Sequence, residues 1–262
     1  MQHSIDHDRM TKLSATIRLM PAQLDHIVIG ADHLESGTRW TEARLQSAMD
    51  GGGAHPLMST HNRLMRLAGG PYLEVIAIDP AAPSPDRPRW FTLDNAATQR
   101  RLADGPAALC WVASVQDIKK SAASCGYDCG RIIEVTRGAL RWRLTVADDG
   151  SLPEQGILPS LIEWPDGMHP VANLAETGIS LDAIQLTHPD PAYISDCLGR
   201  LGLQHLAEIA AGDVAIAFRF PRRMAPSPLP EGRHASILVC SPALTMPHGF
   251  PPVPNSDQQA GL

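Results

Sequence analysis

Three residues carry the strongest hint of chemistry: His26 in "LDHIVIG", Glu74 in "PYLEVIAI" and Glu163 in "LPSLIEW". Both glutamates interrupt apolar runs and have no base beside them. A carboxylate in such a run costs several kcal/mol unless a cation, a donor or a proton meets it. Overlaying the opening segments of two successive stretches puts His26 on Cys110, and overlaying their closing segments puts Glu74 on Glu163. Alternation along a strand gives His26 the face of Leu24 and Val28, Glu74 that of Tyr72 and Ile76, and Glu163 that of Leu161. If the first and last strands of each stretch are neighbours, one imidazole and two carboxylates meet at one internal spot. A divalent cation would satisfy all three, and mixed N/O donors suit Zn²⁺, Mn²⁺, Fe²⁺, Co²⁺ or Ni²⁺. Glu74 and Glu163 are then candidate catalytic residues as well as ligands.

Other polar residues compete for the same spot. His61 in "THNRLMRL" lies on the strand beside that of Glu74, as a replacement ligand, a substrate contact, a base or a hydrogen-bonded strand residue. Asn62 takes the opposite face if that strand is regular. Arg141 and Arg143 share a face in "LRWRL". Turned inward, Arg143 would grip a substrate carboxylate or phosphate; turned outward, the pair forms a solvated face with Trp142 in the core. Cys110 in "AALCWVAS" could ligate as a thiolate, yet it reads as a core residue because free cysteine is so often buried.

The elements that must position these residues recur three times as strand, helix and three strands. Residues 1–22 read as an N-terminal arm, 23–95 as a first unit, 106–170 as a second, 178–241 as a third, and 243–262 as a flexible tail. The first unit runs through a helix in "HLESGTRWTEARLQ" with Trp40, Ala43 and Leu45 on one face, a second strand around 54–59, two strands joined by "AGG", and the proline-rich "AAPSPDRPRWF". In the third, Asp190 or Pro191 starts a helix, Ala183 stands where His26 does, and "HASILVC" brings no carboxylate. One such unit is too small to bury its own sheet face, whereas pairing solves the problem. The expected fold is α+β, with paired βαβββ modules forming a cupped mixed sheet and a third βαβββ-like unit as cover.

Taken together, "LDHIVIG", "THNRL", "YLEVIAID", "LRWRL" and "LPSLIEW" resemble the glyoxalase-like branch of the vicinal oxygen chelate superfamily over roughly residues 23–240. The resemblance implies paired modules and a divalent metal held by residues on the first and last strands of each. By position it implies His26, Glu74 and Glu163 as ligands, with Cys110 departing from the pattern. It implies a metal-dependent lyase, isomerase or dioxygenase acting on a small oxygenated substrate; the alternative is a metal-free protein that binds or sequesters a small molecule.

Composition narrows the field without choosing. The 262 residues carry a net charge of −6, with 44% hydrophobic and 19% charged residues, an ordinary globular balance. Nothing offers a basic footprint for nucleic acid or an apolar run long enough for a membrane. Five cysteines, Cys110, Cys125, Cys129, Cys197 and Cys240, fit no disulfide framework, which points to a cytoplasmic location. Cys125 and Cys129 read as two loop thiols. "GGGAHP" lacks the lysine and helix of a nucleotide loop, and no G-x-S-x-G, G-x-G-x-x-G or H-E-x-x-H is present. The expected partner is a small molecule, and a homodimer is the assembly that paired modules suggest.

Overall fold

The computed structural model describes residues 21–165 and 167–221. Expectations that fall on the strand "HASILVC", on His234, on Cys240, on the C-terminal tail and on most of the N-terminal arm lie outside the described residues. The first module consists of β1 (Gln23–Gly30), α1 (Leu34–Leu45), β2 (Asp50–His55), β3 (Thr60–Arg66) and β4 (Tyr72–Ile78). After α2 (Ala96–Asp104), the second repeats the order with β5 (Ala107–Ser114), α3 (Ile118–Ser124), β6 (Arg131–Arg137), β7 (Leu140–Val146) and β8 (Ser160–Glu163). A third unit contributes β9 (Ala183–His188), α4 (Pro191–Leu201), β10 (Ala207–Ala211) and β11 (Ala215–Arg219).

The two modules share one eight-stranded mixed sheet in the order β2-β3-β4-β1-β5-β8-β7-β6. β1 and β5 meet antiparallel at its centre, and each is flanked by the parallel closing strand of its own module. Curling gives this sheet two unlike faces. Its outer face packs Ile27, Ile29, Val75, Trp111 and Leu161 against Leu45, Ile118 and the third unit's Ile184, Leu198 and Phe218. Its inner face gathers Val28, Ile76, Cys110, Val112, Trp142 and Ile162 with Trp90 and Phe91 from the proline-rich connection. The third unit thus covers the outer face and leaves the cup uncovered. Its three strands stand in the order β10-β9-β11.

Local chemistry explains where elements begin. Asp117 caps α3 by accepting from Lys120 N, and Asp190 caps α4 by accepting from Tyr193 N with Pro191 in the first turn. Asn95 caps α2, an unexpected element, by accepting from Ala97 N and Thr98 N. In α1 the buried residues are Gly37, Thr41 and Leu45, whereas Ala43 is exposed. The helix sits so close to the sheet that a Cβ on Gly37 would lie 2.8 Å from Val75 Cγ1. The expected strand around 54–59 begins earlier, and Pro56–Ser59 form the turn into β3.

Candidate functional site

Glu74, 4% exposed, projects from β4 into the cup and does find partners. Asn62 Nδ2 donates to its Oε1 at 2.6 Å, and His26 Nε2 stands 3.5 Å from its Oε2. That last separation exceeds direct hydrogen-bond range, so a water or a substrate group fits the approach to the pair.

His26 is oriented from behind. Asp25 Oδ1 lies 2.7 Å from His26 Nδ1, and an ionised carboxylate can only accept, so Nδ1 carries the hydrogen. The other oxygen, Oδ2, accepts from Trp164 Nε1 at 2.9 Å and faces His169 Nε2 at 3.3 Å. Burial alone would raise the Asp25 carboxyl. Hydrogen bonds from His169 and His26, and their charges, outweigh it and hold Asp25 well below the usual carboxylate range. Tyr72 stacks on the His26 ring at 4.5 Å and 15°.

Strict alternation would turn Asp25 away from His26. The ladder explains why it does not: Leu24 pairs with Ala113 and His26 with Val112, leaving Asp25 as an extra residue in β1. This bulge re-aims the chain by half a pleat. Leu24 consequently packs against the outer core rather than sharing the inner face with His26. Asp25 is a functional candidate that sequence reasoning missed; an acid directly before the histidine was the available signal.

A second network backs Asn62. Its Oδ1 accepts from Gly53 N at 2.9 Å and from Arg137 Nη1 at 3.0 Å. Arg137 Nη1 also lies 3.1 Å from His55 Nε2, whose Nδ1 is 3.1 Å from Thr60 Oγ1. Burial first, then the charges of Arg137, His26 and His61, push the His55 imidazole down to about 3. It is therefore neutral, with Nε2 accepting from Arg137. Trp90, Trp142 and Trp164 wall the cup, whose cavity volume of about 30 Å³ has room for a water or two.

The other expected site residues lie elsewhere. Asn62 opposes Ile76 and Leu64 opposes Glu74, so the cup face of β3 belongs to Asn62 while His61 points away. In β7, Trp142 and Leu144 line the cup; Arg143 turns outward and binds Glu163 Oε2 at 3.1 Å. Glu163 alternates with the cup-lining Ile162 and Trp164, and therefore does not join His26 and Glu74. The register supplies the reason. Val28 pairs with Glu74, and its counterpart Val112 pairs with Ser160. The residue that structurally matches Glu74 is Ser160; the likeness of "YLEV" to "LIEW" matched letters rather than ladder positions.

A divalent ion therefore lacks a cage. Among the described residues, only His26 and Glu74 offer ligating atoms at the expected corner. Ser160 is neutral, and burial, with the charge of Glu74 adding to it, pushes the fully buried Cys110 thiol up and keeps it protonated. Arg137 adds positive charge to the same cup. Among the described residues no group of three or more His, Cys, Asp or Glu could hold a metal ion. The donor set does not fit a resident divalent metal.

The sequence profile described as a glyoxalase-like domain matches residues 24–202, more than half of the chain. The chain belongs to the glyoxalase-like domain family. Paired modules meeting at a central antiparallel seam agree with membership in the vicinal oxygen chelate superfamily. Solved structures also match this glyoxalase-like chain, at low identity. A hypothetical protein from Staphylococcus aureus is 13% identical with a TM-score of 0.47, covering 76% of this chain and 81% of its own. Methylmalonyl-CoA epimerase from Mycobacterium tuberculosis is 17% identical with a TM-score of 0.36, covering 58% and 93%. The epimerase of Streptomyces coelicolor, solved with 2-nitronate-propionyl-CoA, is 14% identical with a TM-score of 0.36, covering 57% and 99%. No curated protein matches the glyoxalase-like chain.

Proposed function

We propose that this glyoxalase-like protein is an isomerase or lyase that moves a proton at a carbon next to a carbonyl, using His26 and Glu74 without a metal. The observation that carries the reading is the buried Asp25–His26–Glu74 line, with Nε2 and Oε2 3.5 Å apart and open to a third group. Glu74 Oε2 takes the proton from carbon, the C–H electron pair forms the enolate double bond, and the carbonyl oxygen gains the charge. His26, its Nδ1–H held by Asp25, presents Nε2, which gives the second proton when the ring is the imidazolium and takes one, in the reverse direction, when the ring is neutral. Asn62 keeps Glu74 Oε1 occupied, so one defined oxygen faces the substrate. Both groups are withdrawn from bulk water, which strengthens their electrostatics and limits stray protonation.

The test is deuterium exchange in D₂O, followed by proton NMR on a panel of small α-oxo and α-hydroxy carbonyl compounds. Catalysed exchange is expected to fall about 10²- to 10⁴-fold in Glu74→Gln and to survive dialysis against a chelator. Exchange lost on chelation and restored by a divalent ion would replace this reading with the metal-dependent one. Exchange absent throughout, with ligands still bound, would leave a binding or sequestering protein.

A further inference from the structure

The cup holds two donors that the acid–base pair does not use. Arg137, near the end of β6, spends Nη1 on two neutral acceptors, Asn62 Oδ1 and His55 Nε2, and no carboxylate pairs with it among the described residues. Its charge is thus uncompensated by a direct partner. Trp90 lines the same cup at 2% exposure, and its Nε1 has no hydrogen-bond partner. A buried N–H left unpaired is costly and rare, which makes a ligand acceptor the natural occupant. His55 ties the two together: its ring stands edge-on to Trp90 at 5.0 Å while its Nε2 meets Arg137.

We propose that Arg137 and Trp90 form a carboxylate-recognition subsite, so that the substrate is a small organic acid whose reacting carbon reaches His26 and Glu74. This rests on the acid–base reading above and adds the substrate class. One guanidinium in a cup that already holds the buried carboxylate of Glu74 favours a single negative charge over a dianion. The inner space of about 30 Å³ admits little more than the polar groups of a ligand, so the acid must be short and its remainder must lie toward the cup's mouth. A carboxylate entering the cup can pair with the guanidinium, and a small shift of the Trp90 ring would bring its buried indole N–H to the second oxygen.

Calorimetric titration of the intact protein with pyruvate, pyruvamide and inorganic phosphate tests this. Pyruvate is expected to bind at least about tenfold tighter than its neutral amide, a preference that Arg137→Gln removes by weakening pyruvate about 10- to 100-fold. Trp90→Phe, which keeps the ring and deletes the N–H, weakens pyruvate by a smaller factor. Equal binding of acid and amide by the wild type, a comparison that needs no variant, would overturn the subsite and leave the acid–base reading standing. Phosphate binding tighter than pyruvate would also overturn it. Binding of none of the three would overturn the subsite, while the acid–base reading stands or falls with the exchange experiment.

Discussion

At the scale of single residues, Asp25 and His55 show how burial and partners set charge. Asp25→Asn preserves shape but removes the carboxylate that fixes the His26 tautomer and accepts from Trp164. Exchange at the substrate carbon should fall about 10²-fold or more, and stability by about 1–3 kcal/mol, measured by NMR and by urea unfolding. His55 makes a separate statement about pH. Its unfolded value is 6.5 and its folded value about 3, so between them the unfolded chain binds the extra proton. Stability is therefore full above that window and declines as pH falls through it, by up to about 1.4 kcal/mol per pH unit. Asp25 acts in the same direction lower down, since its depressed folded value contributes stability that is lost on further acidification. Urea midpoints from pH 7 to pH 4 should show the decline, and His55→Gln should flatten it. The sequence revealed Glu74 and His26 because each breaks an apolar run. It hid Asp25, Asn62 and Arg137, whose roles depend on which way a strand is phased.

At the scale of elements, the three glycines of β2 illustrate why a run with no nucleotide-loop partners is still informative. A Cβ on Gly52 would lie 2.2 Å from Asn62 O, and its φ of +101 already belongs to glycine. That close approach lets Gly53 N reach Asn62 Oδ1. Gly52→Ala should cost about 1–3 kcal/mol more than Gly69→Ala, which shares a positive φ but has open space around it. Denaturant titration of both variants separates the clash from the backbone strain. Apart from the glycine-rich β2, the described strands were legible from apolar runs, but phase was not. β3 presents Asn62 rather than His61, β7 turns Arg143 outward, and β8 places Ser160 where Glu163 was expected. These depend on bulges and register, which alternation alone does not encode.

At the scale of the whole molecule, the site straddles the seam between modules. The first supplies His26, Glu74 and Asn62; the second supplies Arg137, Trp142 and Trp164, so neither half owns a complete cup. The outer core is equally shared, because Phe218 of β11 and Leu198 of α4 pack into the same cluster as Trp111 of β5. Phe218→Ala should therefore lower stability by about 3–5 kcal/mol in one transition common to circular dichroism and tryptophan fluorescence. Two separate transitions would show the third unit unfolding by itself. Repetition of the modules was visible in the sequence because each reuses one order of apolar segments. Which face the third unit covers was not, since that depends on long-range packing. Among the described residues no helix is long and apolar enough to cross a membrane.

The supernumerary residue in β1 has a consequence for how this strand can vary. Without position 25, Leu24 and His26 would follow one another with their present orientations intact, and the hydrogen-bond pattern with β5 would become regular from Leu24 to Val28. A chain shortened by that single amino acid should thus keep its central strand while its imidazole loses its anchor. The central strand accepts a flaw in its weave for the sake of one carboxylate, and tidying the weave would silence the histidine.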